Sequence, residues 1–153
     1  MRTGSGDVIS HIHVLSSVPR DEHDVKLSLP ALAANVAVVR HVLGAFAEAQ
    51  HLPDRLVEDM RLAVTEACTN VVRHAYQHGR VGAMEVLLSP RPDGVEVVVG
   101  DDGRGIGPSP DTAGPGLGLP LLAAIADSLQ IQHAPGDGSR IVMTFARPRP
   151  ESA

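Results

Sequence analysis

The run Leu62-Ala63-Val64-Thr65-Glu66-Ala67-Cys68-Thr69-Asn70-Val71-Val72-Arg73-His74-Ala75-Tyr76 is largely apolar, and Glu66 and Asn70 are set into it four residues apart. At about 3.6 residues per turn the two side chains stand one above the other on a single helix face. A carboxylate and an amide so placed can hold a metal ion and activate a nucleophile together. Ordinary helices carry the same pair as a solvated stripe or a simple hydrogen-bonded couple, so its meaning depends on the motifs downstream in the chain.

Working outward, Pro53 and Asp54 open the helix that carries the pair, because proline is tolerated in a first turn and an acid suits the positive end of the dipole. The helix is expected to run on to Gly79. Before it, the alternation Val25, Leu27, Leu29 predicts a strand that Pro30 ends, and a helix follows over about residues 31–50 with the stripe Leu32, Val36, Val39, Leu43 and Phe46. After it, strands are expected over residues 82–89 and 94–101, joined by a turn containing Pro90, Pro92, Asp93 and Gly94. The period of two puts Val95, Val97, Val99 and Asp101 on one face of the second strand, so Asp101 points where the core points. A glycine- and proline-rich loop to Gly116, a helix over about 117–127 and strands near 129–133 and 140–147 complete the pattern. Helices and antiparallel-capable strands imply an α+β two-layer sandwich, a mixed and mostly antiparallel sheet with helices on one face.

Two further segments carry chemistry. Asp101-Asp102-Gly103-Arg104-Gly105 ends a strand with a core-facing carboxylate followed by glycines. Such a carboxylate needs donors, which the exocyclic amine of adenine can supply, and the glycines admit close approach of the ring. Taken alone, the segment reads as an ordinary Asp-Gly turn. Gly114-Pro115-Gly116-Leu117-Gly118-Leu119 runs into the third helix, where free backbone N–H groups suit phosphate. No Lys-Ser or Lys-Thr follows these glycines and no Gly-x-Gly-x-x-Gly stands in a βαβ context, which disfavours Walker-type and Rossmann sites.

The order Glu-x-x-x-Asn, Asp-x-Gly-x-Gly, Gly-x-Gly-Leu-Gly-Leu resembles the ATP-binding sites of the GHKL superfamily, which includes gyrase, histidine kinases and MutL and has the Bergerat fold. Thr65-Glu66-Ala67-Cys68-Thr69-Asn70 through His74-Ala75-Tyr76 looks like the anti-sigma-factor serine kinases of the RsbW and SpoIIAB type. The resemblance spans about residues 25–145. It implies that Glu66 is the general base for a substrate serine hydroxyl and that Asn70 binds the Mg²⁺ bridging the ATP phosphates. It also implies that Asp101 receives the adenine amine beside Gly103 and Gly105, and that Gly114, Gly116, Leu117 and Gly118 line the phosphates. Ser139 falls where the family often has a threonine near the adenine. Asn35 and Arg40 match a surface that faces protein partners, which the resemblance gives as a sigma factor and a STAS-type anti-anti-sigma protein, and a homodimer is implied. The segment between Gly105 and Gly116 is then an ATP lid of about ten residues, rich in Pro and Gly, with Asp111 but no lysine, leaving Arg104 as the nearby cation. A module that binds nucleotide and sequesters its partner without phosphorylating it is the alternative.

Composition narrows the classes. The chain has 153 residues, 43% of them hydrophobic, enough for one core. A net charge of −5 and only two Phe, one Tyr and no Trp argue against a nucleic-acid footprint or base-stacking platform. No run suits a membrane span or a signal peptide, and the single Cys68 agrees with a reducing compartment, so a cytoplasmic location is expected. His11, His13, His74 and His78 read as surface residues, lacking a third ligand. Residues 1–23 are expected to form an extension, 24–147 the ATP-binding domain and 148–153 a disordered tail.

Overall fold

The computed structural model describes residues 22–76, 79–103, 118–133 and 138–150. Five strands, β1 (Val25–Pro30), β2 (Ala83–Arg91), β3 (Gly94–Asp101), β4 (Ser128–His133) and β5 (Ser139–Ala146), form one sheet in the order β1-β2-β3-β5-β4. All four described pairings are antiparallel. Three helices, α1 (Ala33–Ala49), α2 (Asp54–Asn70) and α3 (Leu119–Ile125), accompany it, and α2 passes into a π-helical turn over Val71–Ala75. The expected α+β layering is therefore present.

The core lies between the helices and one sheet face. Val95, Val97, Val99 and Asp101 of β3 are all buried, as the period of two requires, and Met84, Val86 and Leu88 of β2 and Ile141, Met143 and Phe145 of β5 share their face. From above, Leu43 and Phe46 of α1 and Met60, Ala63, Val64, Ala67 and Cys68 of α2 close it. Each fully buried large aliphatic side chain contributes roughly 1.5–3 kcal/mol. Burial pushes the Cys68 thiol up to about 12, which fits the reading of this residue as a small core side chain.

Several expectations are corrected. Leu32 is not in the apolar stripe: it is the residue before α1 and is 45% exposed, because Ala31 N–H donates to the Gly82 carbonyl and holds the chain extended there. The helix of the Glu-Asn pair does not continue as α-helix to Gly79. It widens at Val71 and ends at Tyr76, whose backbone is extended. Pro90 belongs to β2 rather than to the turn, which shrinks to Pro92 and Asp93. Its missing N–H is tolerated because β1 starts opposite Leu88, so β2 has no neighbour on that side at Pro90. The third helix is shorter at both described limits than expected.

Among the described residues no helix is long and apolar enough to cross a membrane. Residues 1–21, which make up most of the expected extension, lie outside the described residues, as do His11, His13 and His78.

Candidate functional site

The site is assembled at one end of α2. Asn70 is buried, and among the described residues its side-chain Nδ2 has no hydrogen-bond partner. An orphaned buried donor of this kind is uncommon and points to a missing ligand or water. Oδ1 and Nδ2 are told apart only through such networks, so the orphan marks one end of the amide rather than a specific proton. One turn earlier, Glu66 stands half-buried on the same face.

Gly118 comes to this carboxylate from 52 residues further on. A Cβ placed on Gly118 would lie 2.6 Å from Glu66 Oε2 and 3.2 Å from its carboxyl carbon. Gly118 also precedes α3, and its carbonyl accepts from Leu122 N–H. The absence of a side chain therefore lets the backbone at the start of α3 lie directly against Glu66.

The strand side of the site is built on Asp101, which is 1% exposed. Its register partner on β5 is Ser139, whose Oγ donates to Asp101 Oδ2 at 2.7 Å. Gly103 N–H donates to Asp101 Oδ1 at 2.9 Å. Each carboxylate oxygen thus has one described donor and a remaining lone pair, which leaves acceptor capacity for an amine. Ser139, which falls where the resemblance often places a threonine, holds Asp101 through its hydroxyl.

Three residues missed by sequence reasoning tie these parts together. The Tyr76 hydroxyl donates to the Ala83 carbonyl at 2.5 Å and accepts from Asp102 N–H at 3.0 Å. It thereby joins the end of the α2 segment to β2 and to the Asp101 turn. Burial pushes this hydroxyl above its ordinary range; the Asp102 N–H draws it back, and the charges of Asp101 and Asp102 add to the rise. Gly138, at φ +83°, lies so close to the Asp101 carbonyl that a Cβ would come within 1.9 Å of the oxygen. Arg140 donates to the same carbonyl at 2.9 Å and lies 3.5 Å from Glu85 and 3.7 Å from Asp102, bracing the turn from the other sheet face. The sequence offered one signal, Gly138 immediately before a strand, where a positive φ favours glycine. The roles of Tyr76 and Arg140 depend on contacts distant in the chain.

Gly103 packs against the end of the α2 segment: a Cβ there would lie 2.0 Å from the Ala75 carbonyl oxygen. Gly103 thus seats the Asp101 turn against the π-helical end of α2, just beyond Asn70. Ser139 and Gly103 hold Asp101, Gly103 lies against the end of the α2 segment, and Gly118 lies against Glu66. Arg104, Gly105, Asp111, Gly114, Gly116 and Leu117 lie outside the described residues. Asn35 uses its amide to donate to the Pro30 carbonyl at 2.8 Å, while Arg40 is exposed on α1. Among the described residues no cluster of three or more His, Cys, Asp or Glu could hold a metal ion.

The sequence profile of the histidine kinase-like ATPase domain matches residues 29–145. The chain belongs to that family. Within this histidine kinase-like ATPase family, the chain groups with the serine-protein kinases RsbW. It is 32% identical over 136 residues to serine-protein kinase RsbW of Bacillus cereus, spanning 78% of this chain and 82% of that protein. The same identity and coverage relate it to serine-protein kinase RsbW of Bacillus thuringiensis. The fold of this ATPase domain is shared with the crystal structure of the RsbU and RsbW domains of Rv1364c from Mycobacterium tuberculosis, at TM-score 0.67 and 22% identity over 83% of this chain and 33% of that one. A blue-light activated histidine kinase domain from Erythrobacter litoralis matches at TM-score 0.54 and 16% identity, covering 92% of this chain and 70% of that one. The expected GHKL relationship and α+β fold are thereby established.

Proposed function

We propose that this protein is an Mg-ATP-dependent serine kinase and anti-sigma factor that phosphorylates a serine on a STAS-type anti-anti-sigma partner. The observation that carries the reading is the contact of Glu66 with Gly118, which sets a carboxylate against the glycine backbone that opens α3. Family membership makes protein-serine phosphorylation the chemistry to test at that contact.

ATP supplies the transferable phosphoryl group when bound, and Mg²⁺ offsets the charge of its phosphates. Asp101, held by Ser139 and Gly103, accepts the adenine amine with its spare lone pairs. Asn70 would hold Mg²⁺ through its buried side-chain amide oxygen, since this ion takes oxygen ligands and only a few of them from protein. Glu66 accepts the proton of the partner's serine hydroxyl, or orients that hydroxyl, while the N–H groups leading into α3 face the phosphates. Gly105, Gly114, Gly116 and Leu117 complete the adenine and phosphate walls in this reading. A cytoplasmic homodimer is the form in which the protein is proposed to act.

The test is calorimetric titration with ATP in the presence and absence of Mg²⁺, joined to transfer of labelled phosphate to a STAS-type protein. Glu66→Ala is expected to bind ATP normally and to lose transfer by about 10²-fold or more. Retained transfer in that variant would remove Glu66 as the base. A second reading, a nucleotide-binding module that sequesters its partner without modifying it, is favoured by the ten-residue lid sequence between Gly105 and Gly116. Phosphate gained by the partner's serine eliminates it.

A further inference from the structure

Asp101 and Ser139 turn their side chains to the core, so their chain neighbours Gly100 and Arg140, themselves register partners, stand on the opposite face of the sheet. Glu85 of β2 is level with them, as the partner of Gly100 on its other side. The Arg140 side chain is only 15% exposed and occupies the slot that Gly100 leaves: a Cβ there would fall 2.5 Å from its Cδ and 2.6 Å from its Nη1. From this slot Nη1 donates to two backbone carbonyls, that of Asp101 at 2.9 Å and that of Ser139 at 3.0 Å. Nη2 stands 3.5 Å from Glu85 Oε2 and 3.7 Å from Asp102 Oδ1, which hold the guanidinium in place.

We propose that Arg140 is a positioning residue for the nucleotide: by clamping the backbones of Asp101 and Ser139 from behind the sheet, it sets the affinity for adenine without touching it. The proposal rests on the reading of Asp101 as the adenine acceptor in the function proposed above. Asp101 and Ser139 are the last register pair of β3 and β5, so the strand ladder restrains them on one side only. The two hydrogens of Nη1, one for each carbonyl, supply the missing restraint. The same two residues make the buried bond from Ser139 Oγ to Asp101 Oδ2 on the core face. Holding their backbones together therefore holds that bond, and with it the direction of the free lone pairs of the carboxylate. Hydrogen bonds weaken as their angle departs from linear, and an acceptor already in place loses no freedom on binding.

The effect is confined to the adenine end. The described partners of Arg140 lie on β2, β3, β5 and the turn after β3, and none of them is on α2 or α3. Glu66 and Gly118 meet on those two helices, so the carboxylate at the phosphate end keeps its place when Arg140 is changed. Asp102 N–H is held by the Tyr76 hydroxyl as well, which keeps the turn folded without the guanidinium. Losing Arg140 therefore loosens the aim of Asp101 and leaves the rest of the site standing.

The test is calorimetric titration of the full chain with Mg-ATP and with Mg-ITP, whose hypoxanthine carries a carbonyl where adenine carries its amine. A site built to accept from that amine binds ITP more weakly. Arg140→Gln is expected to weaken ATP about fivefold or more and ITP by less than about twofold, so that the preference between them narrows. Gly100→Ala keeps the guanidinium but fills its slot, and should act in the same way. Joined to Ser139→Ala, Arg140→Gln should add less than the product of the two single losses, because both act through Asp101. Melting temperatures establish which variants are folded; if Arg140→Gln does not fold, Gly100→Ala carries the comparison. Unchanged ATP affinity in the folded variant overturns the proposal and leaves the nucleotide reading intact. Equal losses for ATP and ITP mark general loosening and also overturn it. A wild-type chain that binds both nucleotides alike removes Asp101 as the adenine acceptor and the proposal with it, and a chain that binds neither removes the nucleotide reading as well.

Discussion

Ser139 Oγ donates to Asp101 Oδ2 at 2.7 Å between register partners of β5 and β3, with both side chains buried. The carboxylate is thereby fixed in direction before any ligand arrives. Removing the hydroxyl by Ser139→Ala leaves a buried carboxylate oxygen short of a donor and should cost about 1–3 kcal/mol of stability. Ser139→Thr keeps the donor and should cost much less. Urea denaturation of the three proteins checks both.

Asp101→Asn retains shape but replaces one acceptor oxygen with a donor, so it conflicts with either Ser139 Oγ–H or Gly103 N–H and with an incoming amine. ATP affinity should fall at least tenfold while the circular dichroism spectrum stays that of a folded chain. Calorimetric titration measures the loss, and unchanged affinity would remove Asp101 from the nucleotide site.

Gly118→Ala sets a methyl group 2.6 Å from the far end of a flexible glutamate side chain, so Glu66 can move aside at little energetic cost. The melting temperature should drop by only a few degrees, about 1 kcal/mol. Phosphotransfer should fall about tenfold or more, because the displaced carboxylate no longer meets the serine hydroxyl. Full activity in this variant would show that the Glu66–Gly118 contact has no catalytic consequence.

Tyr76→Phe deletes the bond to the Ala83 carbonyl and the acceptor for Asp102 N–H. A loss of about 1–3 kcal/mol is expected by urea denaturation. Hydrogen exchange should quicken at Asp102 and Gly103, and ATP affinity should weaken with it, since these residues form the turn that holds Asp101.

Cys68 should resist iodoacetamide at pH 8 in the folded protein and react only after denaturant is added, as mass spectrometry of the alkylated chain can show. Its pKa is raised from 9.0 to about 12 by burial. Below pH 9 the thiol is neutral in folded and unfolded chains alike. Between pH 9 and about 12 the unfolded chain loses this proton and the folded one retains it, so stability falls as pH rises. The raised Tyr76 hydroxyl acts in the same direction. A stability curve flat across that range would contradict both.

Much of the site was legible because helices and strands have fixed periods. Glu66 and Asn70 share a face for no reason beyond their four-residue spacing, and Val95, Val97, Val99 and Asp101 are buried together because alternate strand residues point the same way. Local rules failed where a neighbour overrode them. Leu32 looked like stripe and is exposed, and the helix expected to reach Gly79 widens at Val71.

Tertiary structure decided what joins across the chain. Insertion of β5 between β3 and β4 puts Ser139 opposite Asp101, the start of α3 lies against Glu66, and the groove over Gly44 receives Arg61. None of these follows from periodicity, which specifies the face a side chain takes on its own element but not the element that face will meet. That choice is made when distant apolar faces are buried against one another, and the polar contacts of the site take their positions from that burial.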